Sequence, residues 1–321
     1  MKNQDNKENQ EIKEISNQMQ ELKNEISKIL VGNDDVVKWS ILAVASGGNV
    51  LLEGVPGLGK TLFVNSFAKA CDLKFSRIQF TPDLLPTDVI GTKIFNMKDS
   101  TFQTKKGPIF SNVILADEIN RAPPKTQSSL LEAMQEKQVT IGEETYLLDK
   151  PFFVMATQNP IEQEGTYNLP EAQVDRFMFK IIVNYPSLEE EKEIMNRIST
   201  NYQYEIKKVV KKDFFEKTQK IIKDVFLDEE IQDYILEIVN KLREKNDYIE
   251  VGPSPRATIY LSIGAKANAV FDGRDYVTPD DVKEIAYNVL RHRIILSYEA
   301  MAKDVTSELV IKEAIDSIEV A

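Results

Sequence analysis

The sequence predicts an α/β protein whose parallel sheet is flanked by helices and followed by a smaller all-helical domain. Short apolar runs, typical of buried strands, occur at 49–53, 74–79, 113–116, 152–156 and 179–183. Helical patterns at 61–70 and 125–136 lie between them, and strands that alternate with helices favour a parallel sheet. After residue 186 nearly every periodic segment is helical in pattern.

Two further features complete the predicted organisation. Apolar residues recur at three- and four-residue spacing from 10 to 30, which predicts an amphipathic N-terminal helix within residues 1–30. Alternating patterns with turn residues near 87–108 and 138–148 predict two β-hairpin insertions in a core that spans 31–186. Residues 187–321 then form the predicted helical domain.

Composition limits the classes of partner and compartment. The chain has 321 residues, with 40 Lys and Arg against 51 Asp and Glu, and its net charge of −11 opposes direct nucleic-acid or membrane binding. The single Cys71 cannot form an intramolecular disulfide, and the polar N-terminal residues do not resemble a signal peptide. No segment approaches the roughly 18 apolar residues of a membrane span. We expect a cytoplasmic protein.

A phosphate-binding loop follows the first predicted strand. Residues 54–61 read Gly-Val-Pro-Gly-Leu-Gly-Lys-Thr and lead into a helix. Glycines allow successive backbone N–H groups to face phosphate oxygens, and the helix N-terminus favours anions. A Gly/Pro-rich turn is the alternative interpretation, but the strand-loop-helix context favours nucleotide binding. The predicted binding residues here are Gly54, Pro56, Gly57, Leu58, Gly59, Lys60, Thr61 and Leu62, with Lys60 on the β- and γ-phosphates and Thr61 on Mg²⁺.

A second acidic motif supports this prediction. The apolar run 112–116 ends in Asp117 and Glu118. An aspartate at the carboxyl end of a buried strand can hold Mg²⁺ through water, and the next carboxylate can activate an attacking water. We therefore predict Asp117 as a metal-site residue and Glu118 as the catalytic base, the alternative being an acidic turn.

The phosphate loop and six other stretches, in order along nearly the whole chain, resemble the MoxR-like group of AAA+ P-loop ATPases. The others are Val-Gly-Asn at 31–33, Lys-Gly-Pro-Ile-Phe at 106–110, Ala-Asp-Glu-Ile-Asn-Arg-Ala-Pro-Pro-Lys-Thr-Gln at 116–127, Met-Ala-Thr-Gln-Asn-Pro at 155–160, Leu-Pro-Glu-Ala-Gln-Val-Asp-Arg-Phe at 169–177 and Gly-Pro-Ser-Pro-Arg-Ala at 252–257. The motor subunits of magnesium chelatase, which share the two insertions, are the nearest competing relatives.

The resemblance implies roles for several further residues. Asn159 matches a sensor of the γ-phosphate, and Arg176 matches an arginine finger that enters a neighbouring subunit's site. Arg256 matches a second sensor carried by the helical lid, and Val31 and Gly32 match a segment that cups adenine. The alternatives are a turn before Pro160, an Asp175–Arg176 ion pair, an exposed arginine and an ordinary interhelical turn, respectively.

The function implied by this resemblance is ATP hydrolysis with Mg²⁺ by a ring-forming, chaperone-like motor. The resemblance also implies a homo-hexamer and partners that carry von Willebrand factor A domains. A nucleotide-gated assembly switch with slow hydrolysis is the alternative, because it would use the same residues.

Overall fold

The computed structural model of the chain describes residues 2–55, 57–98, 100–159, 166–200 and 204–318. Among these residues the strands, in chain order, are β1 (Val50–Glu53), β2 (Phe75–Gln79), β3 (Gly91–Asn96), β4 (Thr101–Lys106), β5 (Val113–Asp117), β6 (Gln138–Ile141), β7 (Glu144–Leu147), β8 (Phe153–Gln158), β9 (Phe179–Ile182), β10 (Ile249–Val251) and β11 (Ile295–Leu296).

The described helices follow the same chain order. They are α1 (Lys2–Ser27), α2 (Asp34–Ala45), α3 (Lys60–Ala70), α4 (Pro86–Ile90), α5 (Pro124–Glu136), α6 (Glu171–Val174), α7 (Leu188–Ser199), α8 (Lys212–Asp224), α9 (Glu229–Lys241), α10 (Pro255–Phe271), α11 (Pro279–Leu290), α12 (Tyr298–Ala302) and α13 (Ser307–Asp316). Short 3₁₀ turns lie at Pro108–Phe110 and Ile119–Arg121.

A five-stranded parallel sheet forms the centre of the fold, in the order β2-β5-β8-β1-β9. Its strands bury both faces, since Val50 and Leu52 of β1 belong to one hydrophobic cluster and the intervening Leu51 belongs to the other. This alternation follows from the two-residue period of a strand. The predicted fold class, a parallel sheet with flanking helices and a helical C-terminal region, is confirmed.

Two antiparallel hairpins, β3–β4 and β6–β7, form separate small sheets. The β3–β4 hairpin exposes much of its apolar surface, including Phe95, Met97 and Phe102. The division of the chain into domains at residues 30 and 186 stays a prediction.

The structure corrects several predicted elements. Helix α1 spans Lys2–Ser27, so it begins before the apolar pattern at 10–30 and ends three residues short of it. The sequence interpretation also missed α13 and the β10–β11 pair within the helical C-terminal region. Strands of two or three residues carry too short a pattern for periodicity to detect. Among the described residues, no helix combines the length and apolar character that crossing a membrane requires.

Helix α1 is held by its apolar stripe. Ile15, Met19, Leu22 and Ile26 are fully buried, and the helix packs against α2, α3 and α10. The Ser16 hydroxyl also donates to the carbonyl oxygen of Phe271 at the end of α10, at 2.7 Å. The helix therefore contacts both the sheet layer and the C-terminal helices.

An aromatic cluster anchors α3 beneath the sheet. Phe67 is fully buried, and its ring centroid lies 6.3 Å from that of Phe63 and 5.6 Å from that of Phe153. We predict that Phe67→Ala lowers the free energy of unfolding by about 3–5 kcal/mol, because it removes a large side chain from a packed core. Urea denaturation of the variant measures this loss.

The matched control is Phe102→Ala on the exposed β3–β4 hairpin, where the side chain is 69% exposed. This control should change stability by less than about 1 kcal/mol. Equal effects of the two substitutions would contradict the packing described for Phe67.

Candidate nucleotide-binding site

The loop between β1 and α3 has the backbone geometry of an anion-binding site. Gly57 and Gly59 have φ of 88° and 74°, in the left-handed region that favours glycine. A Cβ on Gly54 would lie 2.6 Å from the carbonyl oxygen of Val183 on the neighbouring chain segment. Helix α3 begins at Lys60, so the N–H groups of its first turn are free of intrahelical partners and available to an anion.

The remaining predicted loop residues differ in their surroundings. Leu58 is half-buried against the core, Thr61 is half-buried in the first turn of α3, and the Leu62 side chain is about half exposed. Pro56 lies outside the described residues.

Lys60 points back into the loop, where its Nζ donates to the carbonyl oxygen of Gly54. Burial lowers the pKa of Lys60, although the negative charges of Asp117, Glu53 and Glu118 act in the opposite direction. The ammonium group therefore lies among carboxylates at the phosphate loop, where a phosphate would give it a new partner.

Asp117 ends β5 and is bound through both carboxylate oxygens. Its Oδ1 accepts from the Thr157 hydroxyl at 2.6 Å. Its Oδ2 accepts from Arg77 Nη2 and Nε, at 2.6 and 3.0 Å. Because β2, β5 and β8 are parallel neighbours, Arg77 on β2 and Thr157 on β8 lie on either side of Asp117 at the carboxyl end of β5.

Glu118 follows Asp117 in a left-handed backbone conformation, with φ of 56° and ψ of 50°. Its N–H donates to the Thr157 hydroxyl oxygen at 2.8 Å, so this one hydroxyl binds both acidic residues. Glu118 Oε2 accepts from Gln79 Nε2 at 3.0 Å and from Arg121 Nη1 at 2.9 Å. No described residue forms a hydrogen bond with Oε1, which leaves one carboxylate oxygen available to a water.

The donor set at the loop suits magnesium. Thr61 supplies a hydroxyl and Asp117 a carboxylate, and hard oxygen ligands of this kind are the ones that Mg²⁺ prefers. Arg77 already neutralises Asp117 Oδ2, but its side chain is 47% exposed and free to rotate away. A divalent cation with its waters could then take the position of the guanidinium, so the residues fit the expected metal.

Two of the predicted residues lie after β8 and α6. Asn159 is buried directly beyond the end of β8. Arg176 Nη1 donates to the carbonyl oxygen of Leu131 at 3.1 Å, while its Nε is buried with no hydrogen-bond partner. The alternative Asp175–Arg176 ion pair is wrong, because Asp175 pairs with Arg256 and Arg293 instead. No described carboxylate neutralises Arg176.

Asp175 joins the sheet layer to the C-terminal helices. Its carboxylate accepts from Arg256 Nη1 at 3.0 Å, from Arg293 Nε at 2.9 Å and from the Ser254 hydroxyl at 2.8 Å. Ser254 also caps α10 by accepting from the Arg256 N–H. Burial raises the pKa of Asp175, but the bonds from Arg256 and Ser254 and the charge of Arg293 outweigh burial and hold that pKa below its usual value.

Arg293 is the buried partner in this cluster. Its side chain is fully buried and also donates to the carbonyl oxygens of Asp175 and Phe177. Burial lowers the pKa of Arg293 to about 10, so it stays cationic at neutral pH. Arg256 is 41% exposed at its side chain and can leave Asp175 without stranding a buried charge.

Val31 and Gly32 line a cavity of about 850 Å³ that adjoins the phosphate loop. Leu30, in the same wall, lies 3.5 Å from the position of a Cβ on Gly59. Gly32 has φ of 76°, and a Cβ there would lie 2.4 Å from the carboxyl carbon of Glu190. Leu30 therefore lies next to both the cavity and the phosphate loop.

The sequence interpretation gave no role to several residues that hold these carboxylates. Gln79, Thr157, Arg77 and Arg121 bind Asp117 or Glu118, and Arg293 binds Asp175. Gln79 ends a predicted strand and Thr157 directly follows one, so their place at the carboxyl edge was a usable signal. Arg77 and Arg293 gave no local signal, because their carboxylate partners lie 40 and 118 residues away in the chain.

Comparisons with known proteins agree with this geometry. Residues 49–179 match the ATPase family associated with various cellular activities (AAA), and residues 243–314 match the AAA lid domain. The chain is 46% identical over 302 residues to Chaperone MoxR1 of Mycobacterium tuberculosis, with 92% of this chain and 80% of that protein covered.

Two other similarities extend over similar lengths. YeaC of Bacillus subtilis is 46% identical over 296 residues, with 92% of each chain covered. The crystal structure of a putative ATPase from Cytophaga hutchinsonii, 48% identical, superposes with a TM-score of 0.90 over 97% of both chains. The more distant Protein MoxR of Methylorubrum extorquens is 26% identical, with 89% of this chain and 90% of that protein covered. The chain belongs to the MoxR family of AAA ATPases.

Proposed function

We propose that this chain hydrolyses ATP with Mg²⁺ at sites shared between subunits, and that it uses the reaction to remodel or assemble partner proteins. The observation that carries the proposal is the position of Asp117 and Glu118, held by one threonine hydroxyl at the carboxyl edge of the sheet beside the phosphate loop. Ligands of open parallel sheets bind at this edge.

The described residues suggest a division of labour in hydrolysis. The loop N–H groups and Lys60 would bind the phosphates, while Thr61 and Asp117 would hold Mg²⁺, which neutralises phosphate charge. Glu118 Oε1 would accept a proton from the attacking water. As the oxygen of that water bonds to the γ-phosphorus, the bond from the γ-phosphorus to the bridging oxygen breaks. Asn159 would orient the same water.

A neighbouring subunit would complete the site through Arg176. The guanidinium of this residue is only partly satisfied and has no carboxylate partner among the described residues. Such a cation is available to charge that develops on a phosphoryl group in trans. A ring, expected to be a hexamer, places one subunit's Arg176 against the next subunit's phosphate loop.

Arg256 would connect the nucleotide to the lid. Its bond to Asp175 is partly exposed, and a γ-phosphate would offer it a stronger charge. After such an exchange Arg293 would still neutralise Asp175, which directly precedes Arg176. The nucleotide bound at one site could thereby alter the position of Arg176, which would serve the site of the neighbouring subunit.

Remodelling of a partner is supported by the exposed β3–β4 hairpin and by the relative named as a chaperone. Apolar side chains on a projecting hairpin are more often an interaction surface than an accident of packing. The class of partner expected from the family resemblance is a protein with a von Willebrand factor A domain.

The first test separates binding from chemistry. Glu118→Gln should bind ATP with nearly unchanged affinity. Its rate of hydrolysis should fall by at least about 100-fold, because the amide cannot accept the proton. Titration calorimetry and phosphate release measure the two properties, and Lys60→Ala, which should lose both, is the control. Unchanged turnover in Glu118→Gln would remove this residue from catalysis.

One result would favour the assembly switch over the motor. The unmodified protein would then oligomerise in a nucleotide-dependent way, while its ATP turnover stays near zero even when a partner is present.

The second test concerns the hydroxyl that binds both acidic residues. Thr157→Val keeps the shape of the side chain but removes its bonds to Asp117 and Glu118, so turnover should fall about 10- to 100-fold. Thr140→Val, at the exposed Thr140–Thr145 pair of the β6–β7 hairpin, should leave turnover unchanged. Steady-state kinetics decides the matter, and equal rates for the two variants would refute the positioning role of Thr157.

The third test asks whether the finger acts in trans. Neither Arg176→Ala nor Glu118→Gln should be active alone, but an equal mixture should recover activity at about a quarter of the interfaces under random mixing. Each recovered interface pairs the intact Glu118 of one subunit with the intact Arg176 of another.

A mixture of Lys60→Ala with Glu118→Gln is the control, because both lesions affect the same side of the interface and no site is intact. Recovery in the control, or none in the first mixture at any ratio, is incompatible with shared sites.

A further inference from the structure

The cavity of about 850 Å³ beside the phosphate loop has walls from three parts of the chain. Leu30, Val31 and Gly32 follow α1, Ile181 and Ile182 end β9, and Asn288 and Arg291 come from the α11 segment of the lid. Leu30, Val36 and Trp39 supply the apolar part of a lining that is otherwise largely polar, and an apolar wall suits the flat face of a nucleobase. Leu30 also lies 3.5 Å from the position that a Cβ on Gly59 would take, so this wall lies next to the phosphate loop.

Asn288 is the polar side chain of interest in this cavity. It is only 6% exposed, yet it lines the cavity. Its Oδ1 accepts from Arg291 Nη1 at 3.1 Å. Since a guanidinium can only donate, this bond fixes the orientation of the amide and directs Nδ2 away from Arg291.

No described residue accepts a hydrogen bond from Nδ2 of Asn288, although the side chain as a whole is buried. Nδ2 is not one of the fully buried atoms without a partner, so it is open to solvent in the cavity. An acceptor on a ligand could therefore take the place of water at this donor.

Arg291 holds Asn288 rigidly. Its Nη1 also donates to the carbonyl oxygen of Lys180 next to β9, at 3.1 Å, and its Nε lies 3.2 Å from Glu308 Oε1. The amide is therefore braced by contacts on the sheet side and on the lid side. A preorganised donor of this kind loses little entropy when a ligand arrives.

We propose that Asn288 donates a hydrogen bond from Nδ2 to a ring nitrogen of the adenine base, so that the lid recognises the base directly. The inference rests on the proposed nucleotide function and extends it to the base. Adenine offers acceptors at N1, N3 and N7, and asparagine is a common partner of adenine ring nitrogens. Base recognition from α11 also means that the nucleobase itself helps to close the lid on the core.

The test measures binding of ADP and of its 1-deaza, 3-deaza and 7-deaza forms by titration calorimetry, without hydrolysis. Each deaza form replaces one ring nitrogen by carbon and so removes one acceptor. In the unmodified protein, one of the three forms should bind about tenfold more weakly than ADP, as expected for the loss of one hydrogen bond.

Two substitutions then remove the donor. Asn288→Asp keeps an acceptor for Arg291 but has no Nδ2, and Asn288→Leu keeps the approximate size without any polar atom. In both variants ADP should weaken about tenfold, and the penalty for that same deaza form should disappear. The matched control is Asn240→Asp, because Asn240 near the end of α9 accepts from Arg243 Nη1 in the same way, at 3.4 Å, outside the cavity.

The outcomes distinguish failure of the nucleotide function from failure of the base contact. If the unmodified protein binds no ADP, the proposed nucleotide function fails. If it binds ADP but tolerates all three deaza forms equally, or if the penalty persists in both Asn288 variants, the base contact is refuted while the nucleotide site stands. Loss of all nucleotide binding in both variants would indicate a structural role for Asn288 and would also overturn the inference.

Discussion

The parallel alignment of β2, β5, β8 and β1 is the constraint on which the site depends. All four strands end at one edge, so Gln79, Asp117, Thr157 and the phosphate loop meet there although they are far apart in the chain. The hydroxyl of Thr157 then fixes the chain at the point where Glu118 adopts its left-handed conformation. A side chain on one strand thereby sets the direction of the carboxylate on the next.

Cationic side chains neutralise the carboxylates at this edge of the sheet. Arg77 and Arg121 bind Asp117 and Glu118, and Lys60 lies within the field of both carboxylates. Without these cationic partners, the two carboxylates would lose water without gaining an opposite charge, which costs free energy. The nucleotide and metal of the proposed function would therefore replace existing contacts rather than enter a site of unpaired charges.

Much of the fold and the phosphate site could be predicted from the sequence, because the signals are local. The loop at 54–61 and the Asp117-Glu118 pair each combine a strand pattern with a chemically distinctive end. The Asp175 cluster could not be predicted in the same way, since Arg256 and Arg293 lie 81 and 118 residues from their carboxylate. Asn288 was missed for a similar reason: its place on the cavity depends on how α11 packs, and nothing in its neighbouring residues indicates a ligand.

The position of α1 restricts how far the lid can travel. Its buried stripe is shared between α2 and α3 on one side and α10 on the other, and Ser16 binds the last carbonyl of α10. A hinge opening of the lid would expose several fully buried apolar side chains of α1. Exposing each of them costs about 1.5–3 kcal/mol. Small sliding displacements keep that interface intact. Under the proposed function, α1 would therefore limit nucleotide-driven lid motion to shear, and a ring built from such subunits would transmit short, stiff strokes rather than wide excursions.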